Sequence, residues 1–166
     1  MEQKEILDRM RTLCAKREYC ETDIRKKLAK LYRDLNGPFS EMSPSDARAA
    51  DETVASLRQD GYIDDYRYAR AFARDKSSLS GWGKVKIRHS LAAKGIPKEC
   101  IDAALSEIAE GAGTERLARA LEMKAASLRE DPHCKFKLLR FALGRGYEYA
   151  EIRDLVDRIM EKQQES

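Results

Sequence analysis

No catalytic constellation stands out among the 166 residues. The chain has two histidines, His89 and His133, and four cysteines, Cys14, Cys20, Cys100 and Cys134. His133 and Cys134 adjoin, but no second pair stands at metal-ligand spacing and no C-x-x-C occurs. Asp64-Asp65 is a carboxylate pair of the kind that caps a helix. The phosphate-cradling G-x-x-x-x-G-K-[ST] is missing, and Gly81-Trp82-Gly83 lacks the strand and helix context of a nucleotide fingerprint. These residues predict no enzyme, no metal and no cofactor. The chemistry the chain is equipped for is charge neutralisation by Lys and Arg.

The charge is segregated. Formal net charge is only +3, yet residues 66–98 carry nine basic groups and one acid, and residues 135–146 carry four basic groups and none. Residues 41–65, 99–134 and 147–166 are net acidic. Stretches of one sign set beside stretches of the other predict basic stripes suited to a polyanion.

The elements that position these stripes repeat. With Gly95 set on Gly146, an offset of 51 residues, Lys84 falls on Lys135, Lys86 on Lys137, Ile87 on Leu138 and Lys94 on Arg145. Further on, Ile101 falls on Ile152, Leu105 on Val156 and Ile108 on Ile159, with no gap. Each copy reads as a basic helix, a helix-ending glycine and an acidic helix whose apolar residues recur at i, i+4 and i+7. A further helix precedes each pair, one capped by Asp64 and one opened by Thr114. Ile6, Met10 and Leu13, then Ile24, Leu28 and Leu31, then Val54 and Leu57 mark a looser copy, with a long linker near residues 35–45 around Asn36-Gly37-Pro38. The expected architecture is all-α: three tandem three-helix repeats, residues 1–60, 61–110 and 111–166, forming an elongated, curved molecule.

Helical-wheel positions sort the cations. Val85, Ile87, Leu91 and Ala92 define an inner arc on one basic helix, and Phe136, Leu139, Ala142 and Leu143 on the other. Arg88 falls inside its arc. We therefore expect it to be buried against Asp64 or Asp65, so that Arg88→Ala lowers thermal stability more than Lys86→Ala. Lys86, Lys137 and Arg140 fall on outer arcs, with Phe141 beside Lys137, and Lys84, Lys94, Lys135 and Arg145 flank the arcs. These seven cations are the candidate contacts for a filament or for nucleic-acid phosphates. Trp82, which opens the second basic helix, reads either as a stacking or anchoring residue or as a helix-end core residue.

Four fragments carry a resemblance. Arg17-Glu18-Tyr19-Cys20-Glu21-Thr22-Asp23-Ile24-Arg25-Lys26-Lys27-Leu28 resembles the N-terminal signature of the RecX family. Gly61-Tyr62-Ile63-Asp64-Asp65, with Arg67-Tyr68-Ala69, is similar to its central one. Gly83-Lys84-Val85-Lys86-Ile87-Arg88 through Gly95-Ile96 resembles the segment that follows, and Leu138 to Tyr147 the last. All four stand in order across nearly the whole chain. Cys20 departs from the serine usual in the family, which leaves Thr22 as the alternative helix cap.

The resemblance implies an all-helical regulator of RecA. Such a protein binds RecA filaments on single-stranded DNA, lies in the filament groove, and inhibits the recombinase, ATPase and co-protease activities that serve homologous recombination, DNA repair and the SOS response. An autonomous, non-sequence-specific DNA-binding helical module is the alternative reading of the same basic stripes. The N-terminus lacks the apolar stretch of a signal peptide and no run of 18 apolar residues occurs, so a cytoplasmic chain with reduced cysteines is expected. Nothing in the sequence demands more than a monomer.

Overall fold

The computed structural model describes residues 1–166 and is entirely helical. Nine helices follow one another: α1 (Gln3–Lys16), α2 (Glu21–Asn36), α3 (Pro44–Gln59), α4 (Asp65–Ser78), α5 (Lys84–Ala93), α6 (Lys98–Ser106), α7 (Thr114–Ser127), α8 (Cys134–Gly144) and α9 (Tyr149–Glu165). No helix is long and apolar enough to cross a membrane.

Local chemistry sets the boundaries. Ser43 caps α3 and exchanges bonds with Asp46 in a capping box, with Pro44 in the first turn. Asp64 accepts the Arg67 amide at the start of α4, as its position before the apolar run predicts. Gly95 and Gly146 end α5 and α8 with φ of 74° and 93°, a region that costs other residues a Cβ clash.

Buried side chains gather into three cores. Ile6, Met10, Ile24, Leu28, Val54 and Leu57 centre the first. Ala69, Ala73, Ile87, Leu91, Ile101 and Leu105 fill the second, and Leu117, Leu121, Leu138, Ala142, Ile152 and Val156 the third. The 51-residue correspondence holds in burial: Ile87 and Leu138, Leu91 and Ala142, Ile96 and Tyr147, and Ile101 and Ile152 are buried pair by pair. Each fully buried Leu or Ile contributes roughly 1.5–3 kcal/mol relative to exposure.

The wheel arcs of α5 and α8 were centred one position off. Val85, Ala92, Phe136 and Leu143, expected inside, are exposed; Ile87 and Leu91, and Cys134, Leu138 and Ala142, form the true inner faces. Both basic helices are short, 10 and 11 residues. Counting every apolar residue as inward therefore displaced the arc centre. The same displacement misplaced Arg88. It is exposed and pairs with Asp102 at 2.5 Å, rather than lying buried against Asp64 or Asp65. Lys86 is the half-buried one, with its ammonium 4.2 Å from the centre of the Trp82 ring. On α4, Tyr66 turns outward to Glu107.

The second and third cores are joined through glycine. The Gly83 amide donates to the Arg145 carbonyl at 2.8 Å and the Val85 amide to the Gly146 carbonyl at 3.1 Å. A Cβ on Gly83 would lie 2.2 Å from the Gly146 oxygen, and one on Gly146 would lie 2.3 Å from Lys86 Cβ. Gly146→Ala is therefore expected to cost about 1–3 kcal/mol, from overpacking and positive φ together. Gly144→Ala meets nothing within 4 Å and should be neutral or stabilising by up to about 1 kcal/mol. Urea unfolding of the two variants checks the contrast. In the same assay Arg88→Ala should be nearly silent, and Lys86→Ala should be the more destabilising of the two.

Candidate nucleic-acid interface

Two joints hold the three cores together, and they are built alike. At the first, the start of α2 sits on the α5–α6 turn. Cys20 is fully buried within the second core. Thr22 does not cap its own helix; its hydroxyl donates across the joint to the Lys94 carbonyl at 2.7 Å. Asp23 pairs with Lys94 at 2.9 Å, and Glu18 with Arg67 at 2.6 Å. At the second joint the start of α5 sits on the α8–α9 turn through the Gly83 and Val85 amides. The buried Tyr147 hydroxyl adds a bond to the Gly81 carbonyl at 3.0 Å.

Equivalent positions carry opposite electrostatics. Asp23 occupies the third position of α2 and Lys86 the third of α5. Lys94 and Arg145 are the matching C-caps of the receiving helices. The first joint thus closes on an ion pair, whereas the second presents two cations. Burial pushes the Asp23 carboxyl up, but hydrogen bonds from Lys94 and Cys20 and the Lys94 charge outweigh it and hold it below its ordinary value. For Lys94, burial is the largest single influence and lowers the ammonium, but the bond to Asp23 and the charges of Tyr68, Asp23 and Cys20 together outweigh it and raise the value above its ordinary one. Both partners are thereby held charged.

Around the cationic joint lies an open groove of about 430 Å³, lined by Lys86, Lys124, Lys137, Arg140, Phe141, Gly144 and Arg145. No carboxylate lines it. Several of its cations are steered by aromatic faces instead of being neutralised by acids. Lys124 and Arg145 stand 5.2 and 5.0 Å from the Phe141 ring, and Lys86 and Lys76 stand 4.2 and 4.7 Å from Trp82. A cation over a ring keeps its full charge. Lys137 alone has a carboxylate, Asp131, at 2.5 Å.

An aromatic ladder leads away from the groove. Trp82 meets Phe72 edge-on at 6.2 Å, and Phe72 stacks with Tyr68 at 5.9 Å. Tyr68 and Phe72 border a second basic hollow of about 560 Å³, where Arg17, Lys26, Lys27 and Lys30 gather around Tyr19. The two acids of that hollow, Glu18 and Asp23, are already paired. Cations gathered beside the half-buried Phe72 and Trp82 rings suit a single-stranded polyanion, whose phosphates and bases are both accessible.

Of the residues expected to make contacts, Lys86, Lys137, Arg140 and Arg145 come together in the groove, and Phe141 lies half-buried within it. The others lie apart. Lys84 is exposed outside the groove, Lys94 is bound to Asp23, and Lys135 pairs with Asp157 at 2.7 Å. Trp82 is a half-buried edge of the second core, with two lysines over its ring. The sequence reading missed Lys76, Lys124 and the α2 cluster Lys26, Lys27 and Lys30. Lys76 stands four residues after Phe72 on α4, a spacing that could have flagged it. For Lys124, on α7, no local signal existed.

Known proteins share this fold. A family model described as RecX, second three-helix domain, matches residues 64–105. The chain is similar to the regulatory protein RecX of Escherichia coli O7:K1 (strain IAI39 / ExPEC), 30% identical over 157 residues that cover 90% of this chain and 89% of the relative. Regulatory protein RecX of Escherichia coli O157:H7 (strain EC4115 / EHEC) matches to the same extent. Among solved structures, a crystal structure of regulatory protein RecX superposes with a TM-score of 0.75 at 22% identity, covering 93% of this chain and 71% of that one. RecX from Lactobacillus salivarius gives a TM-score of 0.65 at 19% identity, covering 99% and 97%.

The first joint has a pH signature. A carboxyl whose folded pKa lies below its unfolded value of about 3.9 stabilises the fold above that value. It loses the contribution as pH falls through the lower, folded pKa. Asp23→Asn should therefore destabilise clearly at pH 7 and much less near pH 3. Equal losses at both pH values in urea unfolding would show that the Asp23 charge does not secure the joint.

Proposed function

This chain belongs to the RecX family of regulatory proteins, and we propose that it regulates RecA by binding RecA filaments on single-stranded DNA and inhibiting their recombinase, ATPase and co-protease activities. It acts as a cytoplasmic binding protein, monomeric when dilute, with no catalytic step and no cofactor. The stretches 1–60, 61–110 and 111–166 are its repeated units. The observation that carries the reading is the acid-free groove at the second joint, where cations from α5, α7 and α8 converge. A nucleoprotein filament is a dense polyanion. Lysines and arginines already placed against aromatic faces engage it with less ordering cost than free side chains, and they read no base sequence.

The aromatic ladder favours a second reading, an autonomous DNA-binding module. The two differ in what they need. A RecA regulator acts on RecA-dependent ATP hydrolysis at less than one copy per RecA subunit. A DNA module binds bare oligonucleotide tightly, with a steep salt slope, and acts only by competing for it.

The decisive variant is Lys124→Glu/Lys137→Glu/Arg140→Glu. Lys86 is kept, because it is packed against Trp82 and Gly146. Circular dichroism should show an unchanged fold. Inhibition of RecA ATP hydrolysis on single-stranded DNA should weaken by about tenfold or more, since reversed charges repel the polyanion. For three lost phosphate contacts, the log–log salt dependence should flatten by about 2. Trp82, the only tryptophan, supplies a direct binding signal, because a polyanion drawing on Lys86 changes the field on its ring. Undiminished inhibition by the folded variant would reject the groove as the contact.

A further inference from the structure

The two internal joints use the same edge of successive units, and the third unit carries that edge with nothing seated on it. At the first joint the edge is Cys20 and Thr22, and at the second it is Gly83 and Val85. Another 51 residues on, the corresponding residues are Cys134, which is buried in the third unit's own core, and Phe136, which is not covered. Phe136 is 64% exposed, against 38% for Val85 in its filled joint, and Leu143 and Tyr149 are exposed on the same unit.

The opposite end of the array is open as well. The surface that receives an edge is the turn after the middle helix, Lys94-Gly95 in the second unit and Arg145-Gly146 in the third. In the first unit that turn is the longer segment 37–43, with Phe39 fully exposed and Leu35 46% exposed beside it. Repeat arrays ordinarily end in polar caps that keep the terminal faces soluble. Here each end offers a large aromatic side chain.

We propose that these two ends are halves of one interface, and that copies of this chain associate head to tail, with the Phe136 edge of one seated on the Phe39 turn of the next. Charge supports the pairing. On the third unit Arg140 and Arg145 have no acid partner, Lys135 and Lys137 being paired with Asp157 and Asp131, whereas residues 34–47 hold Asp34, Glu41 and Asp46 between Arg33 and Arg48. The contact continues an interface the chain already forms twice within itself. It joins two different surfaces, so it does not close, and it generates an open chain of copies. It is small, because each internal joint relies on covalent connection as well as contact, so association is weak and concentration-dependent. A long template would align the copies and raise their local concentration.

Phe39→Asp and Phe136→Asp, each made in the full chain, provide the test, since both residues are exposed and circular dichroism can verify the fold. In sedimentation velocity over a concentration series, the unmodified protein should show a weight-average size that keeps rising without a plateau at dimer. Each variant alone should remain monomeric. An equal mixture should form dimers and stop there, because only one intact edge and one intact turn remain to meet. The proposal is overturned if the unmodified protein stays monomeric throughout or stops at a dimer. It is equally overturned if either variant self-associates normally, or if the mixture remains monomeric or grows past dimers. Since neither RecA nor DNA is present, failure here leaves the regulatory reading untouched.

Discussion

The close approach of Gly83 to Gly146 is the constraint on which the functional surface rests. Two backbones meet where no Cβ can be accommodated, 2.2 and 2.3 Å from the nearest atoms. At that distance amide-to-carbonyl bonds form directly between α5 and the α8–α9 turn. Backbone contacts of this kind fix orientation more firmly than long side chains, which keep rotamer freedom. The orientation then decides which cations face one another. Lys86 reaches the groove because its Cβ lies over Gly146, and Lys137, Arg140 and Arg145 reach it from the helix ending at that glycine.

Comparing the two joints separates structure from function within one chain. Both seat the start of a helix on the turn that ends a later one. The first is self-sufficient, with Asp23 and Glu18 pairing Lys94 and Arg67 and with Cys20 plugged into the second core. The cysteine departs from the serine usual at this position, and its surroundings explain why the change is tolerated. A fully buried site with apolar neighbours suits sulfur, and the capping duty a hydroxyl would serve is not taken up by any side chain. The second joint replaces its ion pair with two like charges. Like charges gathered at one site oppose folding modestly, and here the backbone bonds, Tyr147, the Ser80 carbonyl that Arg145 meets and the aromatic faces must offset it. Such an arrangement costs stability unless an anion arrives, which is the expected mark of a binding surface.

Much of this was legible in the sequence. The 51-residue correspondence, the capping role of Asp64, the helix-ending glycines and the apolar i, i+4, i+7 face of α9 all follow from local chemistry, and local chemistry is written in order along the chain; α6 ends at Ser106, before Ile108 can complete the same face. What was not legible is what lies beside each helix. On α5 the apolar residues Val85 and Ala92 look inward by class, yet no element covers them, and Arg88 followed them into the wrong arc. Lys86 looks outward by class, yet a tryptophan and a neighbouring turn lie over its stem. Lys124 joins the groove only because α7 passes beside α8. The repeat even carried the error faithfully. The exposed pairs Val85 and Phe136, and Ala92 and Leu143, were displaced together, so internal consistency between copies could not reveal the misplacement.

That shared displacement has a physical meaning. Positions 85 and 136 are outward in both copies because they belong to the edge by which one unit meets the next, not to the core of their own unit. In the second unit a valine serves, since its backbone amide makes the contact and its side chain is left partly in water. In the third unit a phenylalanine stands there with no neighbour within the chain. A residue of that size at an uncovered edge exposes apolar surface that a smaller or polar residue would spare. Tandem repetition therefore does two things at once in this fold. It stacks three small cores that could not bury enough surface singly, and it leaves at each end an unmatched copy of the surface used for stacking. The polar character of the middle joint and the apolar character of the ends then divide the labour: the first suits a polyanion, and the second suits protein.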